Sequence, residues 1–364
     1  MSRPVTAAIT AILVLVVSGC TGLVASPTDP PVQPPTDVAN VPSQGEARQA
    51  IVIAPEPVVE PETVAEADPD PAADPEPEAE ADPEPVADTT SDVPLELEDL
   101  LGKDGRLSVL LLGTDKREGI VGERTDAIIV ATISPDTGKV AMISMPRDTV
   151  NVPIGPDEVF RDRINTLYWS HTRKARKQKV ALRRTLKDFE YAFDTEIDYY
   201  ALVDFRGLVR LVNSIGGIDV TLKEKLHDPT IHLKPNGLKL KAGERHLDGL
   251  KALAFTRTRH TDSDYERSRR QQQAVTAVAG QVRDRGLAAL PKLIELASKK
   301  VVTDFPMAAA PLLLELAETA VLDKPRSIVL EPGRFAKPGP EVYTIAPKVA
   351  RVREVFAKAM KPLN

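Results

Sequence analysis

From Thr21 to about Pro94 the chain is dominated by proline, alanine, aspartate and glutamate, as in the run ADPDPAADPEPEAEADPEPVAD, and this limits where a fold can form. Proline removes backbone donors, neighbouring acids repel one another, and too few large apolar residues remain to offset the entropy of ordering, so no packed core is expected there. The stretch reads as a tether. Extended as polyproline II at about 3.1 Å per residue, roughly 75 residues reach roughly 230 Å; as a flexible coil the mean span is nearer ~50 Å, a floor because proline and like charge stiffen it.

The residues before the tether fix the compartment. Arg3 is followed by an apolar run from Val5 to Val17 and then by Ser18, Gly19 and Cys20. A basic start, a short apolar core and small residues before a cut describe a secretory signal over residues 1–19, too short for a comfortable membrane span. Small residues ahead of a cysteine also match a bacterial lipobox, so Cys20 is the expected lipidation site and membrane anchor, with an uncleaved anchor as the alternative. Cys20 is the chain's one cysteine, which excludes an intramolecular disulfide. Either way the protein is expected outside the cytoplasmic membrane.

Charge is divided unevenly between the two parts. About 20 acids and two bases lie up to Leu101, leaving about 33 acids and 45 bases beyond it, so the remainder is net basic by about +12 although the whole chain is −6. A basic surface outside the membrane favours polyanions such as anionic lipid or phosphate-linked glycan. Nucleic acid fits the charge but not the compartment, and no recognition helix paired with a turn is evident.

About 260 residues from 101 to 364 are enough for one large domain, with residues 20–100 left as the tether. Apolar runs at 107–112, 126–133 and 139–145 read as strands, the last two joined as a hairpin through Ser134-Pro135-Asp136-Thr137-Gly138. Helical spacing of Val180, Leu182, Leu186 and Phe189 predicts one helix over 174–193. Strands are expected at 197–203 and 218–222, and helices at 205–212, 247–253, 271–285, 287–298, 307–319 and 347–360. Gly216 and Gly217 read as a helix stop rather than a phosphate loop. With no internal repeat, the expected class is α/β, a sheet with helices on both faces.

The segment TRTRHTDSDYERSRRQQQ, from Thr256 to Gln273, concentrates guanidinium groups at two periods. Arg257 and Arg259 share a face if the backbone is extended; Arg267, Arg270 and Gln271 share one if it is helical. Planar, permanently charged guanidinium groups converging on one point suit phosphate or pyrophosphate better than a single carboxylate. A solvated charged face, partly neutralised by Asp262 and Asp264, is the plainer alternative. Three further clusters sit at strand ends: Gly113-Thr114-Asp115, Glu123-Arg124-Thr125-Asp126 and Pro146-Arg147-Asp148. Strand ends are where sites form in such sheets, although an acid there is often only a turn or cap residue.

The ordered motifs LLLGTD, ERTDAIIV, VAMISMPRD, RINTLY, IDYYALVDFRGLVRLVNSIGGIDV, GERHLDGLKALAFTRTRHTDSD and YERSRRQQQ resemble the LytR-CpsA-Psr family over residues 107–290. The resemblance implies an α-β-α layered domain with a central mixed sheet. It also implies an extracytoplasmic phosphotransferase that moves a glycan from a polyprenyl pyrophosphate carrier to a hydroxyl of peptidoglycan or another envelope acceptor. By the same resemblance, Asp115 and Asp126 hold Mg2+, or Mn2+ in its place. Arg124, Arg147, Arg257, Arg259, Arg267 and Gln271 bind pyrophosphate; Asp148 orients Arg147, and Asp264 orients its neighbouring arginines. Residue chemistry agrees: phosphoryl transfer needs positioning and charge neutralisation, and magnesium takes one or two carboxylates alongside substrate phosphate. Base catalysis falls on Asp126 or Asp115, against which stands the weak basicity of a metal-bound carboxylate.

The sequence departs from the family in two places. Arg163 stands where a lysine is common, and is retained as a phosphate-binding residue with different reach. A Gly-Gly pair after the tyrosine region is missing, and Trp169-Ser170-His171 runs into the basic TRKARKQK, most simply a solvated face. His171, His227, His232, His246 and His260 show no zinc spacing, and no GxSxG motif is present. Two other functions remain: hydrolysis of the carrier pyrophosphate in the same site, and non-catalytic binding of an anionic envelope polymer.

Overall fold

The computed structural model describes residues 95–116, 122–175, 177–231, 233, 237–260, 263–286, 295, 301–341 and 343–359. The signal, Cys20, the tether up to Pro94, His232, Asp262 and most of the helix expected at 287–298 lie outside the described residues.

The strands are β1 (Leu107–Thr114), β2 (Thr125–Ile133), β3 (Lys139–Ser144), β4 (Val152–Pro153), β5 (Val159–Phe160), β6 (Tyr199–Asp204) and β7 (Ile218–Leu222). They continue as β8 (Leu226–Asp228), β9 (Leu238–Leu240), β10 (Gly243–Leu247), β11 (Val301–Thr303), β12 (Val321–Val329), β13 (Ala336–Pro338) and β14 (Ile345–Pro347). The helices, numbered separately, are α1 (Leu167–Lys174), α2 (Gln178–Phe193), α3 (Phe205–Ser214), α4 (Gly249–Arg257), α5 (Asp264–Arg285), α6 (Ala310–Thr319) and α7 (Val349–Ala359).

Six strands form the central sheet in the order β11-β6-β1-β2-β3-β12. β1 runs antiparallel to β2 and parallel to β6; β3 runs antiparallel to β2 and parallel to β12, so the sheet is mixed. Strand periodicity sends Leu107, Val109 and Leu111 to one face, where Leu211, Phe255 and Val278 of α3, α4 and α5 cover them. Leu110 and Leu112 face the other way, beneath Leu186 and Phe189 of α2 and Phe356 of α7. Phe193 stacks on Phe356 with ring centres 4.3 Å apart, fastening α2 to α7. The α-β-α layering expected from the sequence is the observed architecture, and among the described residues no helix is long and apolar enough to cross a membrane.

Several boundaries differ from the sequence reading. Leu97–Leu100 forms a helical turn with Leu100 buried and Leu95, Leu97 and Leu101 packed on the core, so the folded part begins before residue 101. The helix expected at 174–193 is two helices, parted at Ala175. The helix expected at 247–253 starts at Gly249, capped by Asp248, because residues 243–247 pair with β7. Helix α5 starts at Asp264, not 271, because the Ser263 side chain accepts the Glu266 N–H and caps it. β12 was not expected, since Pro325 interrupts it; at a sheet edge a missing donor is tolerated. Gly216 and Gly217 end α3 with φ of 73° and 98°, as a helix stop requires.

Asp198 ties the start of β6 to β1: its carboxylate accepts the Ser108 N–H at 2.7 Å, and its own N–H donates to the Ser108 carbonyl at 3.0 Å. Burial, and then the charges of Asp104, Glu196 and Glu190, outweigh that hydrogen bond and raise its pKa to about 7. The unfolded carboxyl titrates near ~3.9. The folded state therefore holds the extra proton between those values, and stability falls as pH rises through that window. Asp198→Asn keeps an oxygen acceptor and removes the titration. Its melting temperature should exceed that of the wild type above about pH 7, with the advantage disappearing below about pH 4; a difference independent of pH in thermal denaturation would refute the assignment.

Candidate active site

The site begins with an irregularity in the sheet. Gly113 pairs with Ala127 and Thr114 with Thr125, which leaves Asp126 as the extra residue of a β-bulge. A bulge re-aims the side chain it carries and leaves its backbone outside the ladder. The Asp126 carbonyl lies 3.5 Å from the Gln271 Nε2 donor. The Asp126 carboxylate accepts from Arg147 Nη1 at 3.0 Å and from Asn165 Nδ2 at 3.2 Å. A β-carbon on Gly113 would sit 2.9 Å from that of Ala127, so a larger residue would force β1 and β2 apart beside the bulge. Next to it, Asp115 and Arg124 close the strand pair. The Asp115 N–H donates to the Arg124 carbonyl at 3.1 Å, and the Arg124 N–H to Asp115 Oδ1 at 3.0 Å.

Arginines from three parts of the chain gather around Asp264, the first residue of α5. Its Oδ1 lies 2.8 Å from Arg267 Nη2, 3.3 Å from Arg259 Nε and 3.9 Å from Arg147 Nε. Arg267 is only 4% exposed. Burial lowers its pKa, as do the like charges of Arg147 and Arg259, while Asp264 and Asp126 oppose them. For Arg147, burial is outweighed by Asp126, Asp148 and Asp264, and its pKa is raised. Arg147 Nε and Arg267 Nε are buried and make no hydrogen bond among the described residues. Such donors gain most from an anion that brings its own acceptor oxygens.

Behind this cluster is a cavity of about 360 Å3 between the sheet and helices α3, α4 and α5. Its mouth carries Asp115, Asp126, Arg124, Arg147, Arg257, Arg259, Arg267 and Gln271, and its interior is apolar, formed by residues such as Leu111, Ile129, Leu208, Leu253 and Val278. Eight predicted residues thus meet at one opening. Arg257 is the last residue of α4, its guanidinium carbon 4.4 Å from the Phe205 ring centre, and Arg259 lies two residues beyond the helix, after the cap residue Thr258. They converge because a helix ends between them, not because the segment is extended as expected.

Three predicted residues sit elsewhere. Asp148 lies behind Arg147, 3.5 Å from its Nε, and also accepts from Arg163 Nη1 at 2.8 Å. Asp148 and Arg163 line a neighbouring cleft that Arg124 and Arg147 also line, and the Asp148 carboxylate stands between Arg147 and Arg163. Arg270 is buried and donates to the carbonyls of Phe255 and Thr258, which fixes the end of α4. Exposed Arg269 pairs with Glu266 and Glu331, both at 2.7 Å. No histidine lines the cavity among the described residues; His171 and His246 pair with Asp188 and Asp219.

The sequence reading assigned no role to four residues around the site. Asn165 holds Asp126, and Phe205 backs Arg257. Glu123 is pushed to a raised pKa chiefly by burial, with Thr114 lowering it. Asp228 of β8, only 2% exposed, accepts from the Thr258 and Thr230 hydroxyls and the Thr230 N–H. Burial acts against its ionisation, but those hydrogen bonds prevail and lower its pKa to about 2. Since Thr258 stands between Arg257 and Arg259, Asp228 anchors the turn that presents both. Asn165 was within reach of the sequence, in RINTLY; Asp228 had no local pattern to mark it.

The donor set suits a metal in one way only. Among the described residues no group of three or more His, Cys, Asp or Glu could hold a metal ion. Asp115 and Asp126, which line the same cavity, are the carboxylates that could hold a magnesium ion taking its remaining ligands from water and substrate phosphate.

Thr258→Val strips the hydroxyl from buried Asp228 while keeping the side-chain shape. It is expected to cost about 1–3 kcal/mol of stability in denaturant unfolding and to weaken inorganic pyrophosphate binding in calorimetry. Unchanged pyrophosphate affinity would show that the turn needs no anchor.

Comparisons with known proteins bear on the family and the fold. The model of the LytR_cpsA_psr family matches residues 73–329. Among curated proteins, the polyisoprenyl-teichoic acid--peptidoglycan teichoic acid transferase TagV of Bacillus subtilis is 31% identical over 202 residues, covering 54% of this chain and 49% of that protein. TagU of Bacillus licheniformis, a transferase of the same name, is 32% identical over 173 residues, covering 47% of this chain and 50% of that protein. The chain thus spans about half the length of the curated relatives it matches. The crystal structure of B. subtilis TagV superposes with a TM-score of 0.57 at 25% identity, over 72% of this chain and all of that one. TagT bound to LI-WTA gives 0.53 at 25% identity, over 70% and 89%. With motifs, fold and family model in agreement, the chain belongs to the LytR_cpsA_psr family.

Proposed function

We propose that this chain is an extracytoplasmic phosphotransferase that moves a glycan, with its phosphate, from a polyprenyl pyrophosphate carrier to a hydroxyl of peptidoglycan. The observation that carries this reading is the join of an apolar cavity to a mouth of five arginines, the shape and polarity of an isoprenoid tail ending in a pyrophosphate. A small soluble phosphate ester would leave the apolar interior without purpose. The names of the relatives, teichoic acid transferases acting between a polyisoprenyl carrier and peptidoglycan, support the same donor and acceptor.

In this reading the acceptor hydroxyl oxygen attacks the phosphorus that bears the glycan. A new P–O bond forms, the bond from that phosphorus to the bridging oxygen breaks, and polyprenyl phosphate leaves. Arg147, Arg259 and Arg267, held together by Asp264, meet the charge on the transferred and leaving oxygens, the dominant contribution in phosphoryl transfer. Arg124 and Arg257 close the sides of the mouth. The hydroxyl proton passes to one of the two mouth carboxylates, Asp115 or Asp126; Asp126 already accepts from Arg147 and Asn165, and Asp115 from the Arg124 N–H. Asp115 and Asp126 would hold Mg2+ or Mn2+, which would supply Lewis-acid neutralisation of the pyrophosphate. Lipidation at Cys20 and attachment to the membrane complete the proposal; fatty-acid labelling that survives Cys20→Ser would sink that part.

The direct test supplies purified protein with lipid-linked glycan and magnesium, with and without peptidoglycan. Glycan should become covalently attached to peptidoglycan, Asp115→Ala and Arg267→Ala should each lose at least about 100-fold in rate, and chelation should abolish activity until Mg2+ or Mn2+ is restored. Release of free phosphorylated glycan alone, in both arms, would instead indicate hydrolysis.

A further inference from the structure

Beside the arginine mouth lies a second cleft of about 740 Å3, joined to the first through Arg124 and Arg147, which line both. It is bounded by helix α1, the segment around Arg161 and Arg163, and Glu341. Helix α1 turns Leu167 and Tyr168 into the core, each 1% exposed, and leaves Trp169 half-buried along the cleft. Trp169 is the chain's only tryptophan. Four residues on, and so on the same helical face, Arg173 sets its guanidinium carbon 5.2 Å from the indole centre.

The cleft differs in character from the apolar cavity. Six cationic side chains line it against three carboxylates, Asp148, Asp162 and Glu341. Arg161, Arg173 and Lys174 are exposed. An indole offers a flat apolar face of the kind that packs on the C–H face of a sugar ring, with a polar edge for its hydroxyls. Guanidinium and ammonium groups beside it suit carboxylates or phosphates on the same molecule. A core role for Trp169 does not fit a side chain left beside water among charged neighbours, and a merely solvated basic face does not explain the indole.

We infer that this cleft is a saccharide subsite, with Trp169 as stacking platform and Arg173 as a reader of anionic groups on the sugar. The inference rests on the glycan-transfer reading and assigns to it the residues that recognise carbohydrate. It also gives the start of the basic run after Tyr168 a task, since Arg173 and Lys174 border the cleft. The same chemistry serves a sugar of the donor polymer or of the acceptor strand, because either must reach the phosphate through the opening that Arg124 and Arg147 share.

Because Trp169 is unique, its fluorescence in the full-length protein reports this cleft alone. One titration uses a soluble muramyl-peptide fragment of peptidoglycan; a second uses a glycan linked through pyrophosphate to a short, water-soluble isoprenoid; a third uses inorganic pyrophosphate. A saturable emission shift with the first identifies an acceptor subsite, and with the second alone a donor subsite. Pyrophosphate should bind in calorimetry and leave the emission unchanged. Arg173→Ala should weaken the saccharide response at least fivefold, and Trp169→Leu should raise the KM of the corresponding substrate by a similar factor while pyrophosphate binding persists. No emission change with either saccharide, or transfer with unchanged KM in both variants, would overturn the subsite and leave the transferase reading standing. A saccharide-dependent shift without any transfer would do the reverse.

Discussion

Several guanidinium groups must stay close together before any substrate arrives, and Asp264 is what allows it. At an effective dielectric of about 20, two like charges about 4 Å apart repel by about 4 kcal/mol, enough to disperse unpaired arginines. One carboxylate at the start of α5 lies within reach of Arg267, Arg259 and Arg147 and offsets that repulsion. Arg147 also faces Asp126 and Asp148, so three acids hold three bases, and the buried Nε donors of Arg147 and Arg267 are left without a hydrogen-bond acceptor among the described residues. The cluster is therefore preorganised and still receptive to an anion, the condition under which electrostatic catalysis needs little rearrangement.

Around this centre the fold supplies two kinds of support. The bulge at Asp126 turns a carboxylate out of the sheet, and Gln271 of α5 approaches the backbone carbonyl that the bulge displaces. One helix thus bridges the sheet and the arginine cluster. Behind the mouth, Asp228, Thr258 and Arg270 fix the end of α4 through buried hydrogen bonds, so that Arg257 and Arg259 leave a defined turn. Asp148 performs a similar task on the other side, between Arg147 and Arg163. Removing any of these supports would leave the arginines present but poorly aimed.

The sheet separates two environments and lets one opening serve both. On one face, α3, α4 and α5 leave a partly apolar cavity against β1, β2 and β6; beside its mouth, α1 borders a cleft of charged residues and one tryptophan. Arg124 and Arg147 stand on the boundary, where an apolar carrier and a polar sugar would have to meet. The basic domain suits that meeting place, and its contrast with the acidic segment before it is already visible in the charge distribution.

Much of this was legible in the chain alone. The apolar runs located β1, β2 and β3, Gly216 and Gly217 marked the end of α3, and the ordered motifs named residues that do gather at one mouth. Local pattern failed where a neighbour decides the outcome. Pro325 hid β12, whose place at a sheet edge tolerates the lost donor, and the pairing of β10 with β7 delayed the start of α4. Arg270 shared a helical face with Arg267, yet the carbonyls of Phe255 and Thr258 claim it. The sequence by itself determined the layered fold, the basic domain and the identity of the charged groups, because periodicity and residue type are local properties. Only the tertiary structure decided that Asp264 joins three arginines, that Asp228 holds their turn and that Asp148 stands between Arg147 and Arg163, because those roles depend on distances between residues far apart along the chain.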